Sequence, residues 1–209
     1  MSDGTAAGDA PPSWPVALRG VSESIVATLG PNDRWNQAAL GLHAPDDPDD
    51  PATAVTWGAT RTRGNFERRG EGVIQFTTDP REFVDAALDV TETSEPVRPG
   101  AAASVEVDAR RIGSGTDEGT EWVRWALEPR SATVRERTVP TINRGFYAVV
   151  DATVAASRLD VPAFDTGALL TRLDYFAETV ERCGGPAERE AFARLDELTD
   201  WRERRNESF

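Results

Sequence analysis

The sequence predicts an α+β fold, in which short antiparallel strands form a barrel or sandwich and a helical subdomain follows. Two observations carry this prediction. Up to residue 139, short β-branched and apolar runs alternate with turn residues, which is typical of antiparallel strands. From Asn143 onward, the apolar residues recur at helical spacing instead. A chain of 209 residues is long enough to bury such a core without a disulfide or a metal.

The strand pattern occupies the first two thirds of the chain. The predicted strands are Ser24–Leu29, Trp35–Leu42, Ala52–Trp57, Gly72–Thr77, Ala103–Ile112, Glu121–Leu127 and Thr133–Val139. The glycine-containing run Gly113–Thr116 is predicted to be a turn between two of these strands.

Two short helices interrupt the strands. The first is predicted over Thr60–Arg69, because Gly70 is a residue that commonly ends helices. The second is predicted over Pro80–Leu88, because Asp79 is a good N-cap and proline is favoured at the first helical position.

The C-terminal region is predicted to hold three helices. The first covers Arg144–Leu159, the second is capped by Asp165 or Thr166 and stopped by Gly184, and the third begins at Pro186. The chain is therefore divided into a disordered N-terminal arm (1–18), a strand-rich domain (19–141) and a helical subdomain (142–209).

The charge balance narrows the choice of partners. Acidic residues number 36 and basic residues 23, all of them arginine, so the formal charge is −13. Such a surface repels nucleic acid and is typical of a halophilic cytoplasmic protein, since concentrated salt screens self-repulsion. No apolar run approaches the ~20 residues of a membrane span, and the first ten residues lack the features of a secretory signal. We therefore expect neither nucleic acid nor membrane as a partner.

The densest group of phosphate-binding side chains lies in the segment from Thr60 to Asn65. Two arginines, two hydroxyls and an amide fall within six residues, where a strand ends and a helix begins. A dianion there would receive guanidinium and hydroxyl hydrogen bonds together with those of free helix N–H groups. The alternative is a solvated helix face whose arginines pair with Glu67 and Glu71, and residue spacing does not decide between the two.

Other candidate chemistries are weaker. His43 is the only histidine and Cys183 the only cysteine, so neither a multi-histidine nor a cysteine-cluster metal site is predicted. The sequence contains no nucleophile elbow and no glycine-rich phosphate loop, and it identifies no catalytic residue.

The order of several short motifs resembles the archaeal "domain of unknown function 447" family and, more broadly, the FMN-binding split-barrel flavoproteins that include flavin reductases. The resemblance spans about residues 20–205. The motifs that carry it are Glu23–Thr28, Asn36–Gly41, Thr62–Phe66, Thr77–Pro80 and the run from Asn143 through Leu159.

This resemblance implies a six-stranded antiparallel split β-barrel that binds FMN at the interface of a homodimer. The phosphate would be held by Thr60, Arg61, Thr62, Arg63 and Asn65. The ribityl chain or the isoalloxazine edge would meet the segment that contains Asn36, Ala38, Ala39 and Leu40, with Thr77, Thr78 and Asp79 nearby. Asn143 and Arg144 would reach the pocket from the partner subunit, although Asn143 is equally suited to cap its own helix.

Three functions follow from these expectations. The first is an FMN-dependent oxidoreductase acting between a reduced pyridine nucleotide and a small-molecule substrate, with the flavin supplying the chemistry. The second is a non-catalytic FMN-binding or sensing dimer. The third is an interaction protein that has lost the cofactor, and the arginine–threonine cluster argues against it.

Overall fold

A computed structural model of the chain describes residues 13–47, 50–139 and 141–207. Within these ranges lie seven strands and six helices. The strands are β1 (Val21–Leu29), β2 (Trp35–His43), β3 (Ala52–Trp57), β4 (Glu71–Thr77), β5 (Thr91–Thr93), β6 (Ala101–Asp117) and β7 (Thr120–Val134). The helices are α1 (Arg61–Arg69), α2 (Pro80–Leu88), α3 (Arg144–Ala156), α4 (Thr166–Cys183), α5 (Pro186–Thr199) and α6 (Trp201–Glu207).

Six of the strands close into an antiparallel barrel, which confirms the predicted fold class. Their order is β1-β4-β6-β7-β3-β2, and β2 pairs with β1 to complete the circle. The three-residue strand β5, which the sequence did not predict, adds to the outer edge of β2. A barrel of this kind leaves few unpaired strand edges.

The barrel is split along one seam. Strands β1 and β2 pair over nine residues each, whereas β2 and β3 pair only at Leu42 with Ala54 and at His43 with Thr53. Beyond those two pairs, β2 and β3 diverge. The backbone therefore opens between Ala38–Gly41 on one strand and Val55–Trp57 on the other.

The long β6–β7 hairpin differs from the prediction. The predicted turn at Gly113–Thr116 is wrong, because β6 continues to Asp117 and the chain reverses at Glu118 and Gly119. A Cβ atom on Gly115 would lie 2.8 Å from the ring of Trp122, which faces it across the hairpin. This glycine therefore makes room for an indole ring and does not form a turn.

The second half of the hairpin also differs, since β7 runs without a break from Thr120 to Val134 and so includes all of the predicted strand Glu121–Leu127. The predicted strand Thr133–Val139 is wrong beyond Val134, because residues 135–139 form no strand. Pro129 lies opposite Val107, next to a register shift between Glu106 and Val107. A bulge of this kind accommodates a proline without ending the strand.

Two hydrophobic cores stabilise the molecule. The barrel core contains Phe66 of α1, whose ring centroid lies 5.2 Å from that of Trp125, so α1 closes one end of the barrel. The helical core joins Val84 of α2 to buried residues of α3, α4 and α5 and to Trp201 of α6. Helix α2 thus belongs to the helical layer while its other face covers the barrel.

The predicted N-terminal arm lies partly outside the described residues, which begin at residue 13. Within the described part, Trp14 and Leu18 pack against the barrel core, and the Trp14 ring meets Phe76 edge-on at a centroid distance of 6.4 Å. In the described ranges, no helix is both long and apolar enough to cross a membrane.

Candidate functional site in the barrel seam

The open seam contains a cavity of about 440 Å³, which we call the seam cavity. This volume falls within the ~300–1,000 Å³ typical of cofactor and ligand sites. Strand β2, strand β3, the start of α1, the inner face of α2 and the end of α3 all line it. The residues that line it are Glu23, Ala38, Ala39, Leu40, Gly41, Val55, Thr56, Trp57, Thr60, Thr62, Phe83, Ala86, Ala87, Thr153, Val154, Ser157 and Arg158.

The strand side of the cavity is built from small residues. On β2, Ala38, Ala39 and Gly41 keep the backbone accessible, since their side chains extend little beyond it. On β3, Val55 and Trp57 point away from the barrel core, because the alternating residues Ala52, Ala54 and Thr56 are buried inside it. A flat ring can approach the exposed backbone edge of β2 closely.

One end of the cavity is the first turn of α1. Thr60 is the N-cap, and its Oγ1 accepts a hydrogen bond from the Arg63 N–H at 3.2 Å. The N–H groups of Arg61 and Thr62 have no intrahelical acceptor, because the first turn of any helix leaves its amides unpaired. Thr62 is buried, and its Oγ1 accepts a 3.4 Å hydrogen bond from Asn36 Nδ2. Hydroxyls and free amides therefore meet at this end, where the helix dipole favours an anion.

The helical wall contributes a cation that the sequence did not reveal. Arg158 is half-buried just beyond the C-terminal end of α3, and its guanidinium carbon lies 4.9 Å from the ring centroid of Phe164. Within the described residues, it forms no salt bridge. No local motif marks Arg158, because only the packing of α3 over the barrel brings it to the seam.

An acidic group faces this arginine across the cavity. The Glu23 carboxylate lies over Gly41, about 3.9 Å from the position of a Cβ atom built on that glycine. Desolvation raises the pKa of Glu23, and the nearby Asp151 acts in the same direction. Arg158 and His43 oppose the shift. Glu23 as a whole is exposed to solvent, so this desolvation concerns only the part of its side chain that lies against the cavity.

The predicted phosphate arginines lie beside the cavity and do not line it. Arg61 is exposed and bonds Glu92 at 2.9 Å, while Arg63 bonds Glu67 and Glu121, each at 3.1 Å. The sequence also allowed a solvated helix face whose arginines pair with Glu67 and Glu71, and the structure contains the first of these pairs, between Arg63 and Glu67. The other acid considered there, Glu71, faces Arg130 at 3.2 Å.

Asn65, which was grouped with these arginines, is buried beneath α1. Its Nδ2 donates to the Thr28 carbonyl oxygen at 3.2 Å and to Thr28 Oγ1 at 3.0 Å, and its Oδ1 accepts from Arg68 at 2.7 Å. The two bonds to Thr28 fasten α1 to β1, and the bond from Arg68 lies within α1. Asn65 therefore positions the helix whose first turn faces the cavity.

The segment Thr77–Asp79 does not line the seam cavity, although Thr77 borders a neighbouring cavity that shares Glu23 and Phe83 with it. Asp79 caps α2 as the sequence predicts, accepting from the Arg81 N–H at 2.9 Å. Thr77 donates to Glu82 at 3.0 Å. Thr77 and Thr78 border a separate depression at the start of α3.

The sequence allowed two roles for Asn143, in the pocket of the partner subunit or as the cap of its own helix. In the structure it is the N-cap of α3. Its Oδ1 accepts from the N–H groups of Gly145 at 2.8 Å and Phe146 at 3.2 Å. Arg144 is exposed at the same helix start. Within one chain, neither residue lines the seam cavity.

Two family models match the chain over most of its length. The N-terminal domain model of the protein of unknown function DUF447 matches residues 22–136, and the second DUF447 model matches residues 143–197. This chain belongs to the DUF447 family. The boundary between the two matches falls where the barrel passes into α3.

Solved structures with the same fold include an FMN-bound DUF447 protein from Methanosarcina mazei. It has 24% sequence identity to this DUF447 chain and a TM-score of 0.73, and the match covers 87% of this chain and 96% of that one. A flavoredoxin from Methanosarcina acetivorans matches at 10% identity and a TM-score of 0.43, covering 61% and 79% of the two chains. An FMN-binding protein from Thermus thermophilus matches at 14% identity and a TM-score of 0.41, covering 67% and 84%.

No cluster suited to a metal ion accompanies the seam cavity of this DUF447 protein. Across the described ranges, no three histidine, cysteine, aspartate or glutamate side chains converge. The cavity instead combines apolar walls with hydroxyls and free amides at the α1 end, and with Arg158 and the Glu23 carboxylate on the side of α3. Such a combination suits an organic anion with a flat apolar part.

Proposed function

We infer that this protein binds FMN in the seam cavity, with the isoalloxazine between β2 and β3 and the phosphate at the first turn of α1. The observation that carries this proposal is the divergence of β2 and β3 after two residue pairs, directly beside the N-terminus of a helix. The opening gives a flat ring access to the backbone, and the helix start supplies donors for a dianion.

The apolar walls supply binding energy that the phosphate end lacks. A micromolar complex requires about 8 kcal/mol, whereas each charge-assisted hydrogen bond contributes about 1.5–3 kcal/mol. Burial of the isoalloxazine against Leu40, Val55 and Phe83 adds roughly 25 cal/mol for each Å² of apolar surface. Both ends of the cavity are therefore needed for a stable complex.

We assign the charge complement of the phosphate first to Arg158, which lines the cavity without a salt-bridge partner among the described residues. Arg61 and Arg63 are a second source of positive charge at the start of α1. The ion pair of Arg61 with Glu92 is exposed, and exposed pairs contribute only about 0–1 kcal/mol, so exchanging it for a phosphate costs little. The Arg63 side chain is only 17% exposed and pairs with both Glu67 and Glu121, so Arg63 is the less available of the two. Thr60, Thr62 and the α1 amides donate the remaining hydrogen bonds.

The proposed activity is that of an FMN-dependent oxidoreductase acting on a small molecule, in a homodimer. Bound FMN supplies hydride or electron transfer, and the chain's own residues bind and orient it. The half-exposed Trp57 leaves one side of the cavity open, which supports access by a second reactant. Oxidation of NADH or NADPH by the FMN-loaded protein is the direct assay, and a lack of turnover with either donor would contradict the reductase activity alone.

FMN binding itself is tested by titrating the purified protein with FMN and, separately, with riboflavin. We expect a shift in the visible flavin spectrum with both, and an affinity at least tenfold higher for FMN, equal to about 1.4 kcal/mol from the phosphate. A protein that binds neither flavin would overturn the proposal. Equal affinities would overturn the placement of the phosphate at α1.

Two variants separate the phosphate contacts from the ring contacts. Arg158→Gln and Thr62→Val each remove a proposed phosphate donor, so each is expected to weaken FMN about tenfold and leave riboflavin unchanged. The matched control is Arg172→Gln, which removes another arginine stacked on a phenylalanine but lies outside the seam cavity. If Arg172→Gln weakens FMN as much as Arg158→Gln does, the assignment of Arg158 fails.

A further inference from the structure

A second cavity adjoins the seam cavity, and six of its nine lining residues have no role in the proposed FMN site. It has a volume of about 500 Å³ and lies between the tip of the β6–β7 hairpin and the segment that joins α3 to α4. We call it the hairpin cavity. Its lining consists of Trp57, Asp117, Glu118, Thr120, Ser157, Arg158, Val161, Ala163 and Phe164.

The two cavities share Trp57, Ser157 and Arg158. A ligand in the hairpin cavity would therefore be separated from a ligand in the seam cavity only by these side chains. Trp57 and Arg158 are both anchored at one end and partly exposed at the other, so rotamer changes at the surface suffice to bring two ligands into contact. Contact at about 3–3.5 Å is what transfer between two bound reactants requires.

Two aromatic rings from different parts of the chain line the hairpin cavity. Trp57 is 50% exposed and Phe164 is 41% exposed, although large aromatic side chains usually bury most of their surface. Val161 and Ala163 add small apolar surface to the same lining. Aromatic rings prefer flat partners in stacked or edge-on contact, so the shape favours a planar aromatic ligand.

The charges around the cavity determine which planar ligands fit. Asp117 and Glu118 contribute two negative charges at the hairpin tip, and Arg158 contributes one positive charge, which already lies over the Phe164 ring. The local balance is therefore negative, as is that of the whole chain. A carboxylate ligand is disfavoured, whereas a neutral or cationic ring is accepted.

The backbone at the hairpin tip supports a binding role. Glu118 has φ = 44° and is followed by Gly119 at φ = 82°, so both central residues of the turn are left-handed. Asparagine, aspartate and glycine are the residues favoured at the first of these positions, and glutamate there is strained. Strained positions of this kind concentrate at ligand sites. In this protein, the strain places a carboxylate on the rim of the cavity.

We propose that the hairpin cavity binds a small planar aromatic compound, neutral or cationic, beside the flavin. The role of this compound as a second reactant rests on the proposed FMN function. Its binding does not, because six of the nine residues that line the hairpin cavity lie outside the seam cavity. The rings of Trp57 and Phe164 would hold the ligand plane, and Glu118 would select against anions.

Three nearly isosteric probes test this proposal: benzamidine, benzamide and benzoate, which carry charges of +1, 0 and −1. Each is titrated into the FMN-free protein at one fixed salt concentration, with binding followed by calorimetry or ligand-observed NMR. We expect benzamidine and benzamide to bind at least three times more tightly than benzoate. Equal binding of all three, or tightest binding of benzoate, would overturn the proposed selectivity.

Variants of the lining assign the binding to this cavity. Phe164→Leu is expected to weaken benzamide about fivefold, since it removes the ring and keeps apolar bulk. The matched control is Tyr175→Leu. Tyr175 is also an exposed aromatic residue, but it lies on α4 and lines neither cavity. Equal losses in these two variants would show that the probe binds elsewhere.

A charge variant tests Glu118 separately. Glu118→Gln should reduce the preference for benzamidine over benzoate about threefold, because it removes one of the two rim carboxylates. Glu106→Gln is the control, since Glu106 is exposed on β6 and lines neither cavity. An unchanged preference in Glu118→Gln would remove Glu118 from the site.

Repeating the titration with FMN present separates this inference from the proposed function. Probe binding to a protein that does not bind FMN would support the hairpin cavity and contradict the flavin site. FMN binding without any probe binding would support the flavin site and contradict the proposed ligand of the hairpin cavity. With both bound, we expect benzamide to perturb the visible flavin spectrum, and the Phe164→Leu variant to need about fivefold more benzamide for the same change.

Discussion

At the seam, the charge of a single residue can act against the stability of the fold, and Glu23 is the clearest case. Its carboxylate lies at the seam cavity, where desolvation raises its pKa despite the neighbouring Arg158. A carboxylate whose pKa is higher in the folded state favours folding more in its protonated form. Ionisation of Glu23 therefore opposes folding at neutral pH, and the effect is small because the residue is exposed and solvent screens its charge.

We predict that Glu23→Gln stabilises the ligand-free protein at pH 7. Since the folded pKa exceeds the unfolded one, the wild-type free energy of unfolding falls as pH rises from the unfolded pKa through the folded pKa. Glutamine has no proton to lose, so the variant avoids this fall. Urea unfolding at pH 4 and pH 7 measures it, and the variant's advantage should be absent at pH 4. An equal advantage at both pH values would show that ionisation is not the cause.

The glycines of β6 show a second kind of residue-level constraint, because two positions of one type face the same ring. A Cβ atom at Gly115 would lie 2.8 Å from the Trp122 ring, but one at Gly113 would lie 3.7 Å from it, an ordinary contact distance. The two glycines therefore differ in how well they accept a side chain.

We predict that Gly115→Ala destabilises the protein by about 1–3 kcal/mol, the usual cost of forcing an extra methyl group into occupied space. Gly113→Ala is the matched control and should change stability by less than about 1 kcal/mol. Thermal or urea unfolding of both variants compares them directly. Equal losses would show that Trp122 moves aside without cost.

At the scale of the elements, the seam results from an unequal pairing of strands. Strand β2 keeps nine pairs with β1 but only two with β3, and α2 and α3 cover the gap from outside. Each part contributes one kind of group: β2 an accessible backbone edge, α1 its unpaired amides, and the segment after α3 an arginine. The candidate site exists only where these elements meet.

The local sequence predicted most of these strands and helices but not how they pack against one another. The bounds of β3 and α2 match the prediction at both ends, because an alternating apolar run and an Asp-Pro cap act within their own segment. Gly115 was mistaken for a turn residue, since its partner Trp122 lies across the hairpin. Arg158 had no local mark at all, because it reaches the cavity only through the packing of a helix on a barrel.

At the scale of the whole molecule, charge dominates behaviour in solution. The chain carries a formal charge of −13, and the arginines that balance part of it are mostly committed to surface ion pairs such as Arg81 with Asp79 and Glu190. Isolated surface pairs contribute little to stability. Repulsion among the remaining carboxylates therefore opposes the compact state unless salt screens it.

We predict that the free energy of unfolding rises as KCl increases from about 0.1 M to 1 M, because the screening length falls from roughly 10 Å to 3 Å. Circular dichroism during urea unfolding at each salt concentration measures the change. Sucrose at matched osmotic strength is the control, since it stabilises without screening charge. A salt effect no larger than that of sucrose would contradict the electrostatic explanation.

The sequence by itself determined the fold class, the positions along the chain of most strands and of the C-terminal helices, and the charge of the surface. It also placed a helix start rich in hydroxyls and arginines after β3. Periodicity, capping and composition act over a few residues, so they can be deduced from the sequence alone. Only the tertiary structure decided which groups face the seam, drawing Thr60 and Thr62 into the cavity and leaving Arg61 and Arg63 in ion pairs beside it. The direction of a side chain in the final fold depends on strands and helices distant in sequence, and no local pattern encodes that.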